Sequence, residues 1–468
     1  MRPRERFLAA LRRQPVDQVP LFDFLFQRPI YTHLIGRTPD AYNARDAVDL
    51  SYALGLDGVW VPFGCFSGWS PERLSANVYR DEWGTTFERS ASSWPIDAPI
   101  DYPLKSRADL KHYVAPDPDA PGRLAEIETA LAMNLARGDE AIAVVGGVGG
   151  PLTTTWMLMG YETLSVNLYD DLDFLKETAE IATDFAVRAV RRMAKAGVDG
   201  MFVSEDLGSS CSGLISPEHF RAVYKPALET IFASIKEANL PVLLHSCGRV
   251  TAFLDDLVDM GIDAIHPLQR TAGMDLAEVK RKYGSRVCLI GNIDSSSTLP
   301  FGSLDQIERE VREAIWTAAP RYGYILASDH SLHDGIPVES ILCMFEAARK
   351  FGVYPEPRTR GVRKGGKAGA SAAGQAHADA EGFVRSEVDR RAGRDRRTVH
   401  DLEYFEDGGD ERRHYLRERR TPPERRSDWV RVSQWSSVYV GSGKAKPKAK
   451  DAPAPRRRAS PAKDGNGR

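Results

Sequence analysis

The stretch LDFLKETAEIATDFAVRAVRRMAKAGVDGMFVSED, residues 172–206, contains a predicted helix and a predicted strand in direct succession. Its apolar residues recur with helical spacing through 172–197, and Gly197 is the type of residue that commonly ends a helix. The run GMFVSED, residues 200–206, then predicts a buried strand that ends in two carboxylates. A helix followed so closely by a buried strand is the repeating unit of parallel α/β sheets.

The same alternation of apolar runs and helical patterns extends over residues 1–355. A second clear helix covers 217–238, with Ser216 as N-cap and Pro217 after it. The apolar runs that predict strands are VPLFDFLF (19–26), GVWVPF (58–63), AIAVVGG (141–147), GMFVSED (200–206), PVLLHSC (241–247), AIHPLQ (264–269), RVCLIGN (286–292) and YGYILASD (322–329). Eight such units predict an α/β fold of the (β/α)8 TIM-barrel type, and a doubly wound open sheet is the alternative.

One stretch interrupts the repeat early in the barrel. The segment YRDEWGTTFERSASSWP, residues 79–95, alternates in polarity around Trp83 and Gly84. This pattern predicts an inserted hairpin, of the kind that often covers one mouth of a barrel.

Composition places the chain among globular proteins. It has 468 residues, 42% hydrophobic and 27% charged, which is too long for one ordinary core. The charged start MRPRERFLAALRRQP has no apolar signal region, and nowhere do eighteen apolar residues run together. We therefore expect a cytoplasmic protein without a membrane span. The five cysteines are odd in number and widely spaced, which argues against a disulfide framework.

The charge is divided between an acidic body and a basic tail. Residues 356–468 hold 28 Lys and Arg against 17 Asp and Glu, a net +11, so the remainder carries −13. The predicted organisation is a barrel over 1–355, a flexible linker over 356–385, a small Arg-rich module of unknown role over 386–440 and a disordered basic tail over 441–468.

Within the Arg-rich module, an acidic residue followed by Arg-Arg occurs five times between 389 and 426. These triplets fit either a salt-bridged helix or an arginine surface for a partner. Nucleic-acid contact by the tail is the less favoured expectation.

The stretch LPVLLHSCGRV, residues 240–250, ends a predicted strand with His245 and Cys247. Residues two apart in an extended chain point to the same face, so an imidazole nitrogen and a sulfur can meet at one point. Gly248 then allows a sharp turn. The pair fits two of the three ligands of an open zinc site; the alternative is a buried Cys beside a hydrogen-bonded His.

The third ligand is expected at the end of the eighth strand, in ILASDHSLHDGIP, residues 325–337. We take His330 as the first choice there. His333 is expected to be a loop residue, and Cys288, in the middle of a strand, is expected in the core.

Further polar residues stand at the carboxyl ends of the predicted strands, where barrel active sites lie. A strand-end polar residue is also often only a helix N-cap or a loop group. We assign catalytic roles to Glu205, Asp206 and Asp294, and substrate or cofactor contacts to Asp23, His266, Gln269, Asn292 and Asp329.

Taken together, the motifs resemble the uroporphyrinogen decarboxylase superfamily, which includes the uroporphyrinogen decarboxylases and cobalamin-dependent methyltransferases. The resemblance covers nearly all of residues 1–355. It rests on RERFLAALRRQPVDQVP, DEWGTTF, GPLTTTWMLMGYE, EDLGSSCSGLISPEHF, LLHSCGRV, GIDAIHPLQRTAGMDLAEVKRKYG, LIGNID and DHSLHDGIPVESILCMFEA. It implies a (β/α)8 barrel.

Within this superfamily, the methyltransferases carry a His-x-Cys pair and a later Cys as zinc ligands. His245 and Cys247 match the pair, whereas His330 holds the place of the later Cys. The decarboxylases carry an Arg-x-Ala-Gly-Arg segment after the first strand and an Asp after the second. Here those places read FQRPIYTHLIGR and VWVPFGCF, although Arg28 and Arg37 remain possible carboxylate clamps.

The resemblance implies zinc-dependent transfer of a methyl group between a methylated corrinoid and a small thiol acceptor. Because the chain lacks an Asp-x-His-x-x-Gly cobalamin signature, we expect the corrinoid on a partner protein. The alternatives are decarboxylation of a tetrapyrrole of the uroporphyrinogen type and a barrel without catalysis that acts as a scaffold.

Overall fold

The structure is a computed structural model of the chain. It describes residues 1–64, 71–89, 95 and 97–354, together with the backbone of 429–431 and 437–439. The predicted linker over 356–385 and the predicted tail over 441–468 lie outside the described residues. So does the 386–440 module, apart from those two short strands, which pair antiparallel with Trp429 opposite Tyr439.

Seven of the eight predicted strands are present, each within three residues of its predicted ends. Of the first predicted strand, 19–26, only Leu25–Phe26 is a strand, and it pairs with Leu332–His333 outside the seven-stranded sheet. The described strands are numbered in chain order. They are β1 Leu25–Phe26, β2 Gly58–Pro62, β3 Glu72–Arg73, β4 Val78–Arg80, β5 Thr86–Glu88, β6 Ala98–Asp101, β7 Ala143–Gly149, β8 Gly200–Ser204, β9 Val242–His245, β10 Ala264–His266, β11 Cys288–Ile293, β12 Tyr324–Ser328, β13 Leu332–His333, β14 Trp429–Arg431 and β15 Ser437–Tyr439.

Helices fill the connections between the strands. They are α1 Pro3–Leu11, α2 Arg28–Ile35, α3 Ala44–Leu54, α4 Ala125–Leu135, α5 Pro151–Asp170, α6 Leu172–Ala196, α7 Pro217–His219, α8 Lys225–Glu237, α9 Leu254–Asp259, α10 Leu276–Tyr283, α11 Thr298–Phe301, α12 Leu304–Ala318 and α13 Val338–Phe351. Short 3₁₀ turns lie at Arg107–Lys111, Gly138–Glu140 and Arg270–Ala272.

Seven parallel strands form one curled sheet in the order β2, β7, β8, β9, β10, β11, β12. Consecutive strands are neighbours because each helix returns the chain along the outside of the sheet. The segment before β1 closes the barrel. Leu21 bridges Leu326 of β12 on one side, and its carbonyl accepts the N–H of Asp57, just before β2, on the other side at 2.9 Å. The prediction of a (β/α)8 barrel is confirmed.

Three aspartates repeat one arrangement at the amino ends of the strands. Asp57, Asp199 and Asp263 directly precede β2, β8 and β10. Each aspartate forms two hydrogen bonds with one residue of the neighbouring strand segment. Its backbone N–H donates to the carbonyl of that residue, and its carboxylate accepts the N–H of the same residue. The residues so bound are Leu21, Val144 and Val242, with all six distances between 2.8 and 3.0 Å.

Two of these aspartates also hold helix α1 across the bottom of the barrel. Arg6 donates to Asp57 at 2.6 Å and Arg4 donates to Asp199 at 2.7 Å. The Asp57 side chain is only 3% exposed and that of Arg6 14%, so this ion pair lies largely out of water. The closing segment and the first helix therefore depend on the same carboxylate.

The early insertion is larger than the predicted hairpin. β4 and β5 form the hairpin, with Tyr79 opposite Phe87, but β3 and β6 extend it to a four-stranded antiparallel sheet. The buried Arg123 binds Glu82 of this insertion at 3.0 Å and lies over the ring of Phe185 in α6. This ion pair fixes the insertion against the side of the barrel.

Of the two helices that the sequence predicts most clearly, one forms as predicted and the other is interrupted. Residues 172–197 form α6, which ends at Gly197 in the left-handed conformation. The predicted helix over 217–238 begins at the Ser216 cap as expected but passes through a π-turn at Phe220–Tyr224. The reason is Pro226, whose ring cannot fit against the carbonyl four residues earlier in an α-helix.

In the part of the chain that the structure describes, no helix combines the length and the apolar character that crossing a bilayer requires.

Replacement of Asp57 by Ala should destabilise the barrel more than the same change at Asp263. Asp57→Ala leaves Arg6 without one carboxylate and the N–H of Leu21 without an acceptor. We expect about 3–5 kcal/mol lower free energy of unfolding. Asp263→Ala removes only the acceptor of Val242 N–H, with an expected loss of about 1–3 kcal/mol. Denaturant titration measures both; equal losses would contradict the closing role of Asp57.

Candidate metal centre at the carboxyl end of the barrel

His245, Cys247 and His330 come together at the carboxyl end of the barrel. His245 is the last residue of β9, Cys247 follows two residues later, and His330 lies just beyond β12. One ligand atom from each residue lies within 4.8 Å of the other two. His245 and Cys247 are buried, while His330 is half-buried. The structure thus brings together the three residues predicted as metal ligands.

Burial determines the protonation of the cluster. It lowers the pKa of His245 to about 3, with a further contribution from His330. Burial also lowers the pKa of His330 to about 4. Both imidazoles are therefore neutral near pH 7, with a lone pair available. Burial, and secondly Asp206, raises the pKa of the Cys247 thiol well above its ordinary value, so the thiol keeps its proton until a metal displaces it.

Asp206 is the carboxylate that faces the cluster. Its Oδ1 accepts the Cys247 thiol at 3.5 Å and lies 3.7 Å from Nε2 of His245. Burial raises the pKa of Asp206, whereas the thiol hydrogen bond acts in the opposite direction. The backbone N–H of Asp206 donates to Thr153 at 2.8 Å, which fixes the turn after β8.

Glu205 points to the opposite side of that turn. It is fully buried, and its two carboxylate oxygens accept the backbone N–H groups of Leu152 and Thr153 at 3.0 Å each. These N–H groups belong to the first turn of α5, so Glu205 acts as a helix cap. Burial raises its pKa to about 8. A catalytic role for Glu205 stays a prediction.

The other predicted polar residues bind the loops around the barrel mouth. Asp23 accepts from Phe24 and Ser328, Gln269 accepts from Gly248, Asn292 donates to Leu268, Asp294 accepts from Ser296 and Ser297, and Asp329 accepts from Ser295 and Arg270. Burial raises the pKa of Asp23 and of Asp329 to about 7. Their polar atoms hold backbone in place, and their proposed catalytic or substrate contacts stay predictions.

His266, by contrast, lies directly beside the cluster. It is fully buried, and its Nδ1 is 2.8 Å from Nδ1 of His245. Below both rings lies an aromatic floor that we did not predict, formed by Phe22, Phe24 and Phe202. The alternation of Phe22, Phe24 and Phe26 in the first predicted strand is the signal that would have indicated it.

Of the two residues set aside as ligands, Cys288 lies in the core as expected, whereas His333, expected in a loop, is part of β13 and pairs with Phe26. Cys288 is fully buried in the apolar core, where burial raises the pKa of its thiol to about 12. The Nε2 of His333 lies 2.9 Å from the carbonyl of Ser295, and its Nδ1 accepts the N–H of Gly335. His333 therefore orders the loop that carries His330.

Two glycines allow the turns after β8 and β9 to touch. Gly248 has φ of +74°, and a Cβ placed on it would come within 2.6 Å of the backbone of Gly208 and Ser209. The N–H of Arg249 donates to the carbonyl of Ser209 at 2.7 Å. This backbone contact holds Cys247 next to Asp206.

The donor set fits zinc. Two neutral imidazoles and one thiol are ligands that zinc prefers, and three protein ligands leave one position open. In a tetrahedral zinc site with ordinary bond lengths, donor atoms lie about 3.5 Å apart. The present donor atoms lie within 4.8 Å of one another, so each separation exceeds that spacing by at most about 1.3 Å.

Most of the barrel matches the profile of a known family. The profile described as "Uroporphyrinogen decarboxylase (URO-D)" matches residues 93–351, more than half of the chain. A solved structure described as a methyltransferase from Methanosarcina mazei covers 75% of this chain and 99% of its own, with a TM-score of 0.62 and 24% identity. At that identity the likeness shows the fold.

Curated relatives fall into two groups. A methylcobamide:CoM methyltransferase from Methanosarcina barkeri is 30% identical over 210 residues, 45% of this chain and 59% of that protein. The chain thus spans about three-fifths of that relative. A uroporphyrinogen decarboxylase from Anaeromyxobacter dehalogenans is 26% identical over 74% of this chain and 99% of its own length.

Replacement of Gly248 by Ala should loosen the turn that carries Cys247. Gly273→Ala is the matched control, because Gly273 has φ of +82° but nothing within 4 Å of an added Cβ. The control should cost about 1 kcal/mol from backbone strain alone. Gly248→Ala should cost clearly more and make the Cys247 thiol react faster with a disulfide reagent. Equal stability and equal thiol reactivity in the two variants would contradict the proposed backbone contact.

Proposed function

The chain belongs to the uroporphyrinogen decarboxylase family, and from this premise we propose that it is a zinc-dependent methyltransferase. The proposed reaction transfers a methyl group from a methylated corrinoid, carried by a partner protein, to a small thiol. The observation that carries the proposal is the cluster of His245, Cys247 and His330 at the barrel mouth. The relatives named methylcobamide:CoM methyltransferase support the methyl-transfer part of the proposal.

Each ligand has one atom free for the metal. His245 uses Nδ1 toward His266, and His330 uses Nδ1 toward Ser331, so their Nε2 atoms are the proposed donors. Cys247 supplies its sulfur after losing the proton that it now donates to Asp206. Zinc, when bound, lowers the pKa of a coordinated thiol and so supplies a thiolate nucleophile near pH 7.

The remaining residues orient the site and exclude water. Asp206 accepts the thiol hydrogen bond of Cys247 and lies 3.7 Å from Nε2 of His245, and the aromatic floor of Phe22, Phe24 and Phe202 packs against the rings of His245 and His266. In the proposed reaction, the acceptor thiolate forms a bond to the methyl carbon as the carbon–cobalt bond of the methylated corrinoid breaks. The electron pair of the carbon–cobalt bond stays on cobalt.

We propose the cytoplasm as the compartment, because the described cysteines are all free.

Decarboxylation of a uroporphyrinogen-type tetrapyrrole is the second candidate. In its favour, the relatives named uroporphyrinogen decarboxylase match 74% of this chain. Against it, the two arginines considered as carboxylate clamps are already paired: Arg28 with Asp334, and Arg37 with Asp46 and Asp49. A substrate carboxylate would have to displace those partners.

Metal analysis of variants tests the ligand set. We expect nearly one zinc per chain in the wild type and none after Cys247→Ser or His245→Ala, with weaker binding after His330→Ala. His330→Cys should retain zinc, because it restores the cysteine of the methyltransferase pattern. Cys288→Ser is the matched control and should retain zinc, since Cys288 lies in the core. A metal-free wild type that folds normally would remove the chemical basis of the proposal.

Turnover distinguishes the two candidate reactions. Purified protein is incubated with methylcobalamin and small thiols, including CoM, and separately with uroporphyrinogen. We expect a methylated thiol, with the rate reduced at least about 100-fold in Cys247→Ser, since outer partners of a metal site alone contribute 10–100-fold. Efficient release of carboxyl groups from uroporphyrinogen, unchanged in Cys247→Ser, would favour the decarboxylase instead.

A further inference from the structure

Two histidines on neighbouring strands share a hydrogen bond inside the barrel. β9 and β10 pair in a register that places His245 directly opposite His266. The two Nδ1 atoms are 2.8 Å apart, and the ring centroids are 5.0 Å apart. His266 is fully buried and His245 is 8% exposed. Because two unprotonated ring nitrogens repel each other at this distance, one proton must lie between the two buried Nδ1 atoms.

The position of that proton decides what His245 can bind. A neutral imidazole carries one proton, on Nδ1 or on Nε2. If His266 donates, His245 carries its own proton on Nε2, the atom that faces Cys247 and Asp206, and cannot bind a metal there. If His245 donates from Nδ1, its Nε2 has a free lone pair. Only the second arrangement fits a ligand role for His245.

The surroundings of His266 are consistent with an acceptor Nδ1. With Nδ1 accepting, the single proton of His266 lies on Nε2, and among the described residues this atom has no hydrogen-bond partner. The ring is held edge-on by Phe22 and Phe202, and Phe24 lies 4.8 Å away. An N–H group beside an aromatic ring is stabilised by a weak N–H···π contact, whereas an unprotonated ring nitrogen forms no favourable contact with the negative face of the ring.

We propose that His266 is a positioning residue that holds His245 in the Nδ1–H tautomer and aims its Nε2 at the metal. Ligating histidines commonly donate their second N–H to a carboxylate, a carbonyl or water. Here a second, neutral imidazole takes that role, so the barrel interior gains an acceptor without a further buried charge. The metal in this statement rests on the proposed function, whereas the tautomer of His245 can be measured with or without a metal.

Two substitutions separate this role from simple packing. His266→Phe keeps an aromatic ring in the aromatic floor but removes the acceptor. His266→Asn keeps an acceptor, since an amide oxygen can take the place of Nδ1. His219→Phe is the control, because His219 is half-buried and its described side-chain contacts, Ser216 and Tyr169, are not part of the cluster. Denaturant titration of all three verifies that they fold.

Zinc affinity, measured on the full chain by competition with a chelator, is the first readout. His266→Phe should weaken zinc binding 10–100-fold and change the visible spectrum of the cobalt(II)-substituted site. His266→Asn and His219→Phe should stay within about threefold of the wild type. Affinity in His266→Phe equal to that of the wild type, or equal losses in the Phe and Asn variants, would overturn the proposal.

The tautomer of His245 in metal-free protein is the second readout and needs no zinc. Protein labelled with ¹⁵N at histidine, with His245 assigned from the His245→Ala variant, should show the His245 proton on Nδ1 in the wild type and not in His266→Phe. A proton on Nε2 of His245 in the wild type would overturn the proposal. A wild type that binds no zinc but shows the Nδ1 proton would reject the metal function and retain the role of His266.

Discussion

The closed curvature of the parallel sheet is the constraint on which the candidate site depends. β9 and β12 are three strands apart in the sheet order. In a flat sheet, that separation would place their ends about 14 Å apart. In the barrel, the ligand atoms that follow these strands lie within 4.8 Å of one another. Closure in turn depends on Leu21, which bridges β12 and is held before β2 by both the backbone and the carboxylate of Asp57.

Much of the fold and the core of the site followed from local patterns. Seven of the eight strands predicted from apolar runs lie within three residues of the observed strands, because burial on both faces of a parallel strand leaves a continuous apolar signature. His245 and Cys247 could be paired because strand periodicity is two. His330 could be added because the carboxyl ends of barrel strands meet at one mouth.

The rest of the site depends on contacts between residues that are distant in sequence. The sequence does not distinguish Glu205 from Asp206, because their roles are decided by the first turn of α5 and by Cys247 respectively. Asp23 is predicted as a site residue from its position in the first apolar run, but its carboxylate accepts a hydrogen bond from Ser328, 305 positions away. The pairing of His266 with His245 follows only from the register of β9 and β10, for which no local pattern exists.

The central claim is that two imidazoles and one thiolate bind zinc at the barrel mouth. Zinc K-edge X-ray absorption of the purified wild type tests it most directly, because nitrogen and sulfur neighbours scatter at different distances. We predict two nitrogen neighbours at about 2.0–2.1 Å and one sulfur at about 2.3 Å, with a light atom or thiol in the fourth position. A zinc shell without sulfur, or one made only of oxygen, would contradict it.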